Sequence, residues 1–232
     1  QQTLTFGKTE RIQKFSGDIK LVHGQLAFLE GEIKKVDITL QGLQLANKDN
    51  ANAMISIPWA QLSLFRLEKI MGELKSASWS LSGSTTGFSL PWFQSSPLGQ
   101  RLKLSLKAHL TGTIKNGPLD RSLEDWRDRG GTIEVDNLKM QHGPLKIDTK
   151  GTLALDGKLQ PVGELTAHLE GFFETIDALK RLRVVGARNA ITAKMVLGVL
   201  SRTPEGGGPA TLNLALILHN RYLYLGPVRL LK

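Results

Sequence analysis

Apolar and polar residues alternate along most of the chain. The pattern is cleanest in residues 101–110, where leucines occupy even positions and Lys103 and Lys107 occupy odd ones. Successive side chains of an extended chain leave opposite faces of a sheet, so the pattern predicts a strand with one apolar and one polar face. Similar segments predict about ten strands, in antiparallel runs rather than βαβ units. The predicted strands span residues 18–28, 32–46, 53–65, 76–90, 101–110, 132–142, 145–156, 162–171, 210–219 and 222–230.

The alternation changes phase twice within residues 32–46. The apolar positions shift parity between Ile33 and Val36, and again between Leu40 and Leu43. A β-bulge or a bend produces such a change, and bulges curve a sheet. Gly151 interrupts a predicted strand, which a glycine weakens unless the backbone bends there, so we expect a bulge or sharp bend within two residues of it.

Two segments late in the chain have helical periodicity. Apolar residues recur at three- and four-residue steps in residues 172–185 and 189–202, and we take Asn189 as the N-cap of the second segment. Shorter helices are expected at residues 66–75 and 122–127. The sequence therefore predicts a mainly β (α+β) fold, with a large curved antiparallel sheet, half-barrel or groove-like, and a helical pair before the last hairpin. The periodic apolar residues of the second helix are Ile191, Met195, Val196, Val199 and Leu200.

The predicted sheet has more apolar surface than two short helices can cover. The chain has 232 residues, 41% of them hydrophobic, and we treat 1–232 as one domain with an N-terminal sheet half, 1–118, and a C-terminal half, 119–232. The rest of the apolar face must be closed by curling of the sheet, by an apolar ligand or by a partner. We predict an apolar groove lined by Leu102, Leu104, Leu106, Leu145, Ile147, Leu153, Leu155 and Leu165.

Basic residues outnumber acidic ones. There are 30 Lys and Arg against 21 Asp and Glu, and the net charge of +9 favours anionic partners. Lys180, Arg181, Arg183 and Arg188 form a basic cluster where the first helix of the pair ends. The cluster can be explained by the helix dipole and solvation, or as a contact for anionic headgroups or an acidic partner. Nucleic acid is disfavoured because aromatic residues are only 6% and are not interleaved with basic ones.

Motifs of catalysis and of metal binding are missing from the sequence. The five histidines lack metal-ligand spacing, and there is no cysteine. Asp148 and Asp156 would lie about 26 Å apart along an extended strand, too far for a glycosidase pair. The glycine-rich residues 83–87 lack the helix that follows a nucleophile elbow, and residues 204–209 lack the lysine of a P-loop. We therefore expect no enzymatic activity, no cofactor and no metal.

The chain contains no candidate transmembrane helix. No apolar run approaches the roughly 20 residues that such a helix needs. Because the chain begins at Gln1 rather than Met, we expect that a signal peptide or an anchor has been removed.

Three sequence pieces carry a family resemblance. They are "DWRDRGGTIEV", "GPLKIDTKGTLALDGKLQPVGELTA" and "LYLGPV", and in this order and spacing they resemble domain of unknown function 2125. The family consists of uncharacterised alphaproteobacterial proteins, usually with an N-terminal hydrophobic segment that directs them to the cell envelope. The resemblance is clear in the C-terminal half. It implies a periplasmic protein, anchored to the inner membrane, and it carries over no catalytic residue.

Together these observations favour a non-enzymatic periplasmic protein. Its curved sheet would hold an apolar ligand such as a lipid, or dock an envelope partner, with the membrane surface nearby. The alternative is a structural or assembly module with a closed, dry core that binds another envelope protein.

Overall fold

The computed structural model describes residues 2–6, 13–47, 54–67, 77–89, 101–115, 117–183, 185–225 and 228–231. Within these residues, thirteen strands form one antiparallel sheet. The strands are β1 (Gln2–Phe6), β2 (Gln13–Asp18), β3 (Leu21–Leu29), β4 (Glu32–Asn47), β5 (Met54–Arg66), β6 (Ala77–Phe88), β7 (Leu102–Thr111), β8 (Ile133–His142), β9 (Leu145–Leu155), β10 (Pro161–Glu170), β11 (Thr211–His219), β12 (Tyr222–Leu225) and β13 (Val228–Leu231). The helices are α1 (Leu119–Asp128), α2 (Phe172–Arg181) and α3 (Ala187–Leu200).

The sheet is a meander. From β4 to β13 each strand pairs with the next one in the chain, and the path stays open, with β1 and β13 at its two ends. β2 and β3 pair with successive parts of the long strand β4. Helix α1 connects β7 to β8, and α2 and α3 connect β10 to β11. The structure confirms the predicted mainly β fold with a large curved, open sheet and a helical pair near the C-terminal end.

Both predicted phase changes in β4 coincide with backbone irregularities. The register between β3 and β4 shifts between Ala27 and Phe28, which leaves Lys34 as the extra residue of a bulge. Gly42, between Leu40 and Leu43, has a φ of +65°. Beyond it Leu43 and Leu45 are buried, and Ile55 and Ile57 of β5 pack against them. The sequence pattern therefore located both irregularities.

The irregularity expected at Gly151 lies on the neighbouring strand. The ladder from Gly151 to β10 is regular, but β8 shifts register opposite it, between Val135 and Leu138. Gly151 has a φ of +152°, and a Cβ there would overlap the carbonyl oxygen of Glu164. The glycine is thus required by a close approach of two backbones, and the bulge faces it.

Several predicted boundaries are corrected by the structure. The predicted strand 18–28 is divided at Ile19 and Lys20, opposite Gly42, into β2 and β3, which pair with β4 in the same register. The predicted strand 222–230 is likewise divided into β12 and β13. Helix α3 begins at Ala187, so Asn189 is not its N-cap; the backbone N–H of Ala190 donates to the carbonyl oxygen of Gly186 at 2.9 Å. Most of the helix expected at 66–75 lies outside the described residues.

The buried core under the helical pair is formed by one face of the sheet. Ala167, Leu169 and Leu212 of β10 and β11 are buried together with Phe172 of α2. Leu197 of α3 packs against this cluster. The helical pair therefore covers β9–β11, and β12 and β13 extend the sheet beyond them.

Candidate functional site

The eight predicted groove residues share one face of the sheet, called here the apolar face. Directly paired residues of neighbouring strands lie on the same face. Leu104 of β7 is opposite Met140 of β8, which is opposite Ile147 of β9. Leu165 of β10 is opposite Gly151 of β9. Gly151 lies on the same face as Ile147, because the two residues are an even number of positions apart on one strand. The bulge in β8 changes which positions of that strand lie on the shared face, so that Val135 and Leu138 both lie on it.

Burial differs among these eight side chains. Leu102 and Leu165 are only 4% and 3% exposed, so they belong to a packed core. The six others are half-buried and keep part of their surface accessible. Their use as a ligand groove stays a prediction.

The apolar face continues beyond the predicted residues towards the N-terminal strands. Ala108 of β7 is opposite Leu81, Leu81 is opposite Leu64, and Leu64 is opposite Val36 of β4. From β3 to β11 the face crosses nine strands, about 38 Å at a spacing of about 4.8 Å. Its N-terminal part is open to solvent, with side chains 39–60% exposed. These exposed residues are Val22, Leu26, Phe28, Ile38 and Leu62.

The opposite face of the sheet, the polar face, carries a cavity that the sequence analysis did not anticipate. The cavity has a volume of about 450 Å³, and its lining includes Lys103, Lys139 and Lys146 from three adjacent strands. Two of these lysines are paired with carboxylates: Lys139 Nζ lies 3.6 Å from Asp148, and Lys146 Nζ lies 3.6 Å from Glu170. The polar positions alternate as they would on any solvated face, so periodicity gives no sign of the cavity.

The first of the three family motifs contains the residues that attach α1 to the end of β7. Trp126 is 1% exposed, and its indole N–H donates to the carbonyl oxygen of Thr111 at 2.7 Å. The helix ends in a Schellman motif: Gly130 N donates to Arg127 O, and Gly131 N donates to Trp126 O. A Cβ on Gly131 would overlap the Trp126 ring. The tryptophan and the two glycines are therefore one packing unit at the end of β7.

The second motif contains a turn that is held by the side chain of Asp156. Oδ1 of Asp156 accepts hydrogen bonds from the backbone N–H groups of Lys158 and Gln160, at 2.8 and 2.9 Å. These bonds hold the pKa of Asp156 below its usual value. Asp148, at the other end of β9, accepts from Asn137 at 2.6 Å. Neither carboxylate is the other's partner, as the sequence analysis expected.

An ion pair links the two helices of the helical pair. Lys194 of α3 donates to Asp177 of α2, with a distance of 2.7 Å. This hydrogen bond, more than the nearby charges of Lys180 and Arg181, holds the pKa of Asp177 below its ordinary value. The carboxylate is therefore ionised, and the pair intact, at neutral pH; protonation would weaken the pair only as the pH falls through the lowered pKa.

The periodic apolar residues of α3 face away from the rest of the protein. Ala190, 1% exposed, lies on the inner side together with the half-buried Ala193 and Leu197. The outer side carries side chains that are 53–86% exposed. These outer residues are Ile191, Met195, Val196, Val199 and Leu200.

The four residues of the basic cluster are all exposed. Lys180 and Arg181 lie in the last turn of α2, Arg183 in the turn that follows, and Arg188 in the first turn of α3. Within the described part of the chain, none of the four has an acidic side chain at ion-pair distance. Their role as a headgroup contact stays a prediction.

The described residues hold no group of three or more His, Cys, Asp or Glu side chains placed to bind a metal ion. Among the helices that the structure describes, none is long and apolar enough to cross a membrane.

An open antiparallel meander with one apolar face, and with a helical pair packed over β9–β11, defines the structural class of this chain. The chain belongs to the family DUF2125, described as an uncharacterised protein conserved in bacteria, whose model matches residues 4–232. The resemblance seen in the C-terminal half thus extends over nearly the whole chain. No curated protein and no solved structure matches it.

Proposed function

We propose that this is a non-enzymatic cell-envelope protein of the periplasm whose curved sheet holds an apolar ligand such as a lipid. The observation that carries the proposal is the apolar face, which is continuous from β3 to β11. It is packed under the helices, half-buried at β7–β9 and exposed at β3–β5. An apolar surface of this extent marks a binding surface in a protein. The envelope location rests on the family resemblance.

An elongated ligand fits this surface better than a compact one. The face is about 38 Å long across the strands and carries few hydrogen-bonding groups. Alkyl chains gain about 0.8 kcal/mol for each buried CH₂ and need no polar partner. The open path of the sheet leaves the β3–β5 end accessible for such a chain to enter.

A second candidate is an assembly module that docks another envelope protein. Strand β3 supports it, because β3 pairs with β4 alone and its apolar side chains are exposed. An edge strand of this kind can accept a strand from a partner. The open sheet argues against the closed core that the sequence analysis gave to this alternative.

Extraction and mass spectrometry of the purified protein test the proposal directly, with binding of a fluorescent fatty acid as the second measurement. We expect co-purified lipid, and we expect Leu62→Glu to weaken probe binding by about tenfold or more, because burial of a leucine side chain is worth about 1.5–3 kcal/mol. Leu62 is 42% exposed, so the fold tolerates the change. Gln61→Glu, which places the same charge on the polar face, is the matched control.

Absence of lipid, together with equal probe binding by Leu62→Glu and Gln61→Glu, would contradict the lipid groove. Capture of a defined envelope protein that is lost in Leu62→Glu would then favour the assembly module.

Leu104→Ala gives a separate prediction for the middle of the face. Because Leu104 is half-buried, the free energy of unfolding should fall by about 1 kcal/mol, less than the about 2–5 kcal/mol that a fully buried leucine costs. The amount of lipid retained should fall as well. Chemical denaturation and mass spectrometry measure the two effects, with Ser105→Ala on the polar face as control. A loss of several kcal/mol with unchanged lipid retention would show a packed core at this position.

A further inference from the structure

We infer that the outer face of α3 and the adjoining basic cluster form a docking surface for an anionic lipid bilayer. This surface lies on the helical pair, apart from the apolar face of the sheet, and the inference goes beyond the proposed function. It starts from the unusual composition of α3.

Helix α3 is apolar on both sides. Its inner side packs through Ala190 and Leu197, and its outer side presents Ile191, Met195 and Val199. These three residues are four apart, so they form one stripe along the helix, about 12 Å long at a rise of about 1.5 Å per residue. A helix that is apolar all round is normally buried in a core or in a membrane. Here one side remains uncovered.

The outer face has almost no capacity for hydrogen bonds. From Ile191 to Leu200 the polar side chains are Thr192 and Lys194. The Thr192 hydroxyl donates to the carbonyl oxygen of Arg188 at 3.1 Å, and Lys194 is paired with Asp177. Protein interfaces form about one hydrogen bond per 100–200 Å², whereas the acyl region of a bilayer requires none. The face therefore fits lipid better than a protein partner.

The charges beside this face have the sign that an anionic bilayer attracts. Arg188 precedes Ile191 by three residues and Met195 by seven, so it stands at the N-terminal end of the same stripe. Lys180, Arg181 and Arg183 lie at the same end of the helical pair, where Leu182 is also 58% exposed. No acidic residue occurs between residues 178 and 204. Apolar insertion and basic headgroup contacts together are typical of interfacial helices.

Flotation with vesicles tests the inference. One vesicle contains phosphatidylglycerol and phosphatidylethanolamine, and the other contains phosphatidylcholine alone. We expect the protein to bind the anionic vesicles at least tenfold more strongly. Val199→Glu should weaken that binding by about tenfold or more, and its fold should survive because Val199 is 86% exposed. Leu119→Glu, at a 73% exposed position of α1, is the matched control and should leave binding unchanged.

The basic cluster is tested by replacing Lys180, Arg181, Arg183 and Arg188 together with Gln. Each basic residue near an anionic leaflet contributes roughly fivefold to binding at low salt, so the quadruple variant should bind at least tenfold more weakly. The difference should shrink as salt is raised, because the screening length falls to about 8 Å at physiological ionic strength. The melting temperature should not change.

Equal binding to both vesicles, or equal binding by Val199→Glu and Leu119→Glu, would overturn the inference. A dimer that Val199→Glu dissociates, with vesicle binding unaffected, would also overturn it, because a second copy would then cover the face. Leu62→Glu is expected to float like the unchanged protein, so failure of the sheet groove and failure of the bilayer contact give different results.

Discussion

Trp126→Ala is expected to lower the free energy of unfolding by about 3–5 kcal/mol. The substitution removes the largest buried side chain of α1 and leaves a cavity between the helix and the end of β7. It also removes the indole N–H that donates to the carbonyl oxygen of Thr111. The surrounding glycines cannot fill the space, because Gly112 and Gly131 have no side chains to move into it.

Urea denaturation followed by circular dichroism measures this loss. Trp126→Phe should cost less, because the ring still packs on Gly131 and only part of the volume and the hydrogen bond are lost. Glu124→Ala, at an exposed position of the same helix, should be within about 0.5 kcal/mol of the unchanged protein. If Trp126→Ala unfolded at the same urea concentration as Glu124→Ala, Trp126 would not be what attaches α1 to β7.

The strands of the C-terminal half could be predicted to within about a residue, except for residues 222–230, which form two strands instead of one. Residues 132–142, 145–156 and 162–171 match β8, β9 and β10, since each strand has one covered and one solvated face. The pattern fails where a strand is short: β1 has five residues and β2 has six, and the alternation predicts neither of them as a strand. β3 lies almost entirely within the predicted strand 18–28, although it is exposed throughout.

The shared face of the groove residues could also be predicted, because parity alone fixes it once the bulges are placed. The extent of the face could not. Val22, Leu26 and Phe28 belong to the face only because β3 pairs with β4. This pairing depends on the tertiary structure and cannot be read from the local sequence pattern. The cavity on the polar face is formed by side chains of adjacent strands. Their relative positions cannot be predicted from the pattern within any one strand.

The orientation of α3 shows a different limit. Periodicity selects the large residues Ile191, Met195 and Val199 as the apolar stripe, but the helix packs through Ala190 and Leu197, with Ala193 half-buried on the same side. The small Ala190 lets the helix approach its neighbours closely, and the ion pair between Lys194 and Asp177 lies on the side that faces α2. In a helix that is apolar on all sides, the apolar residues of each side recur with the same helical period. The surrounding structure, and not the sequence pattern, therefore determines which side is buried.

Gly171→Ala is expected to destabilise the protein by about 2–5 kcal/mol, and it tests how the helical pair is joined to the sheet. Gly171 lies between the end of β10 and the start of α2, with a φ of +73°. An L-residue pays about 1–2 kcal/mol for this left-handed conformation. A Cβ would also overlap the carbonyl oxygen of Pro144 and lie 2.7 Å from its carbonyl carbon. Backbone atoms cannot rotate away, so overpacking adds about 1–3 kcal/mol.

Gly130→Ala separates the two contributions. Gly130 has a similar φ of +77°, but nothing lies within 4 Å of a Cβ placed there, so it should show the conformational cost alone, about 1–2 kcal/mol. Urea denaturation of both variants gives the difference. Because Gly171 O accepts from both the backbone N–H and the hydroxyl of Thr175, a shift of Gly171 also displaces the first turn of α2. We therefore expect Gly171→Ala, unlike Gly130→Ala, to weaken the packing of Phe172 over β10 and β11. If both variants lose the same free energy of unfolding, the contact with Pro144 does not hold the helical pair in place.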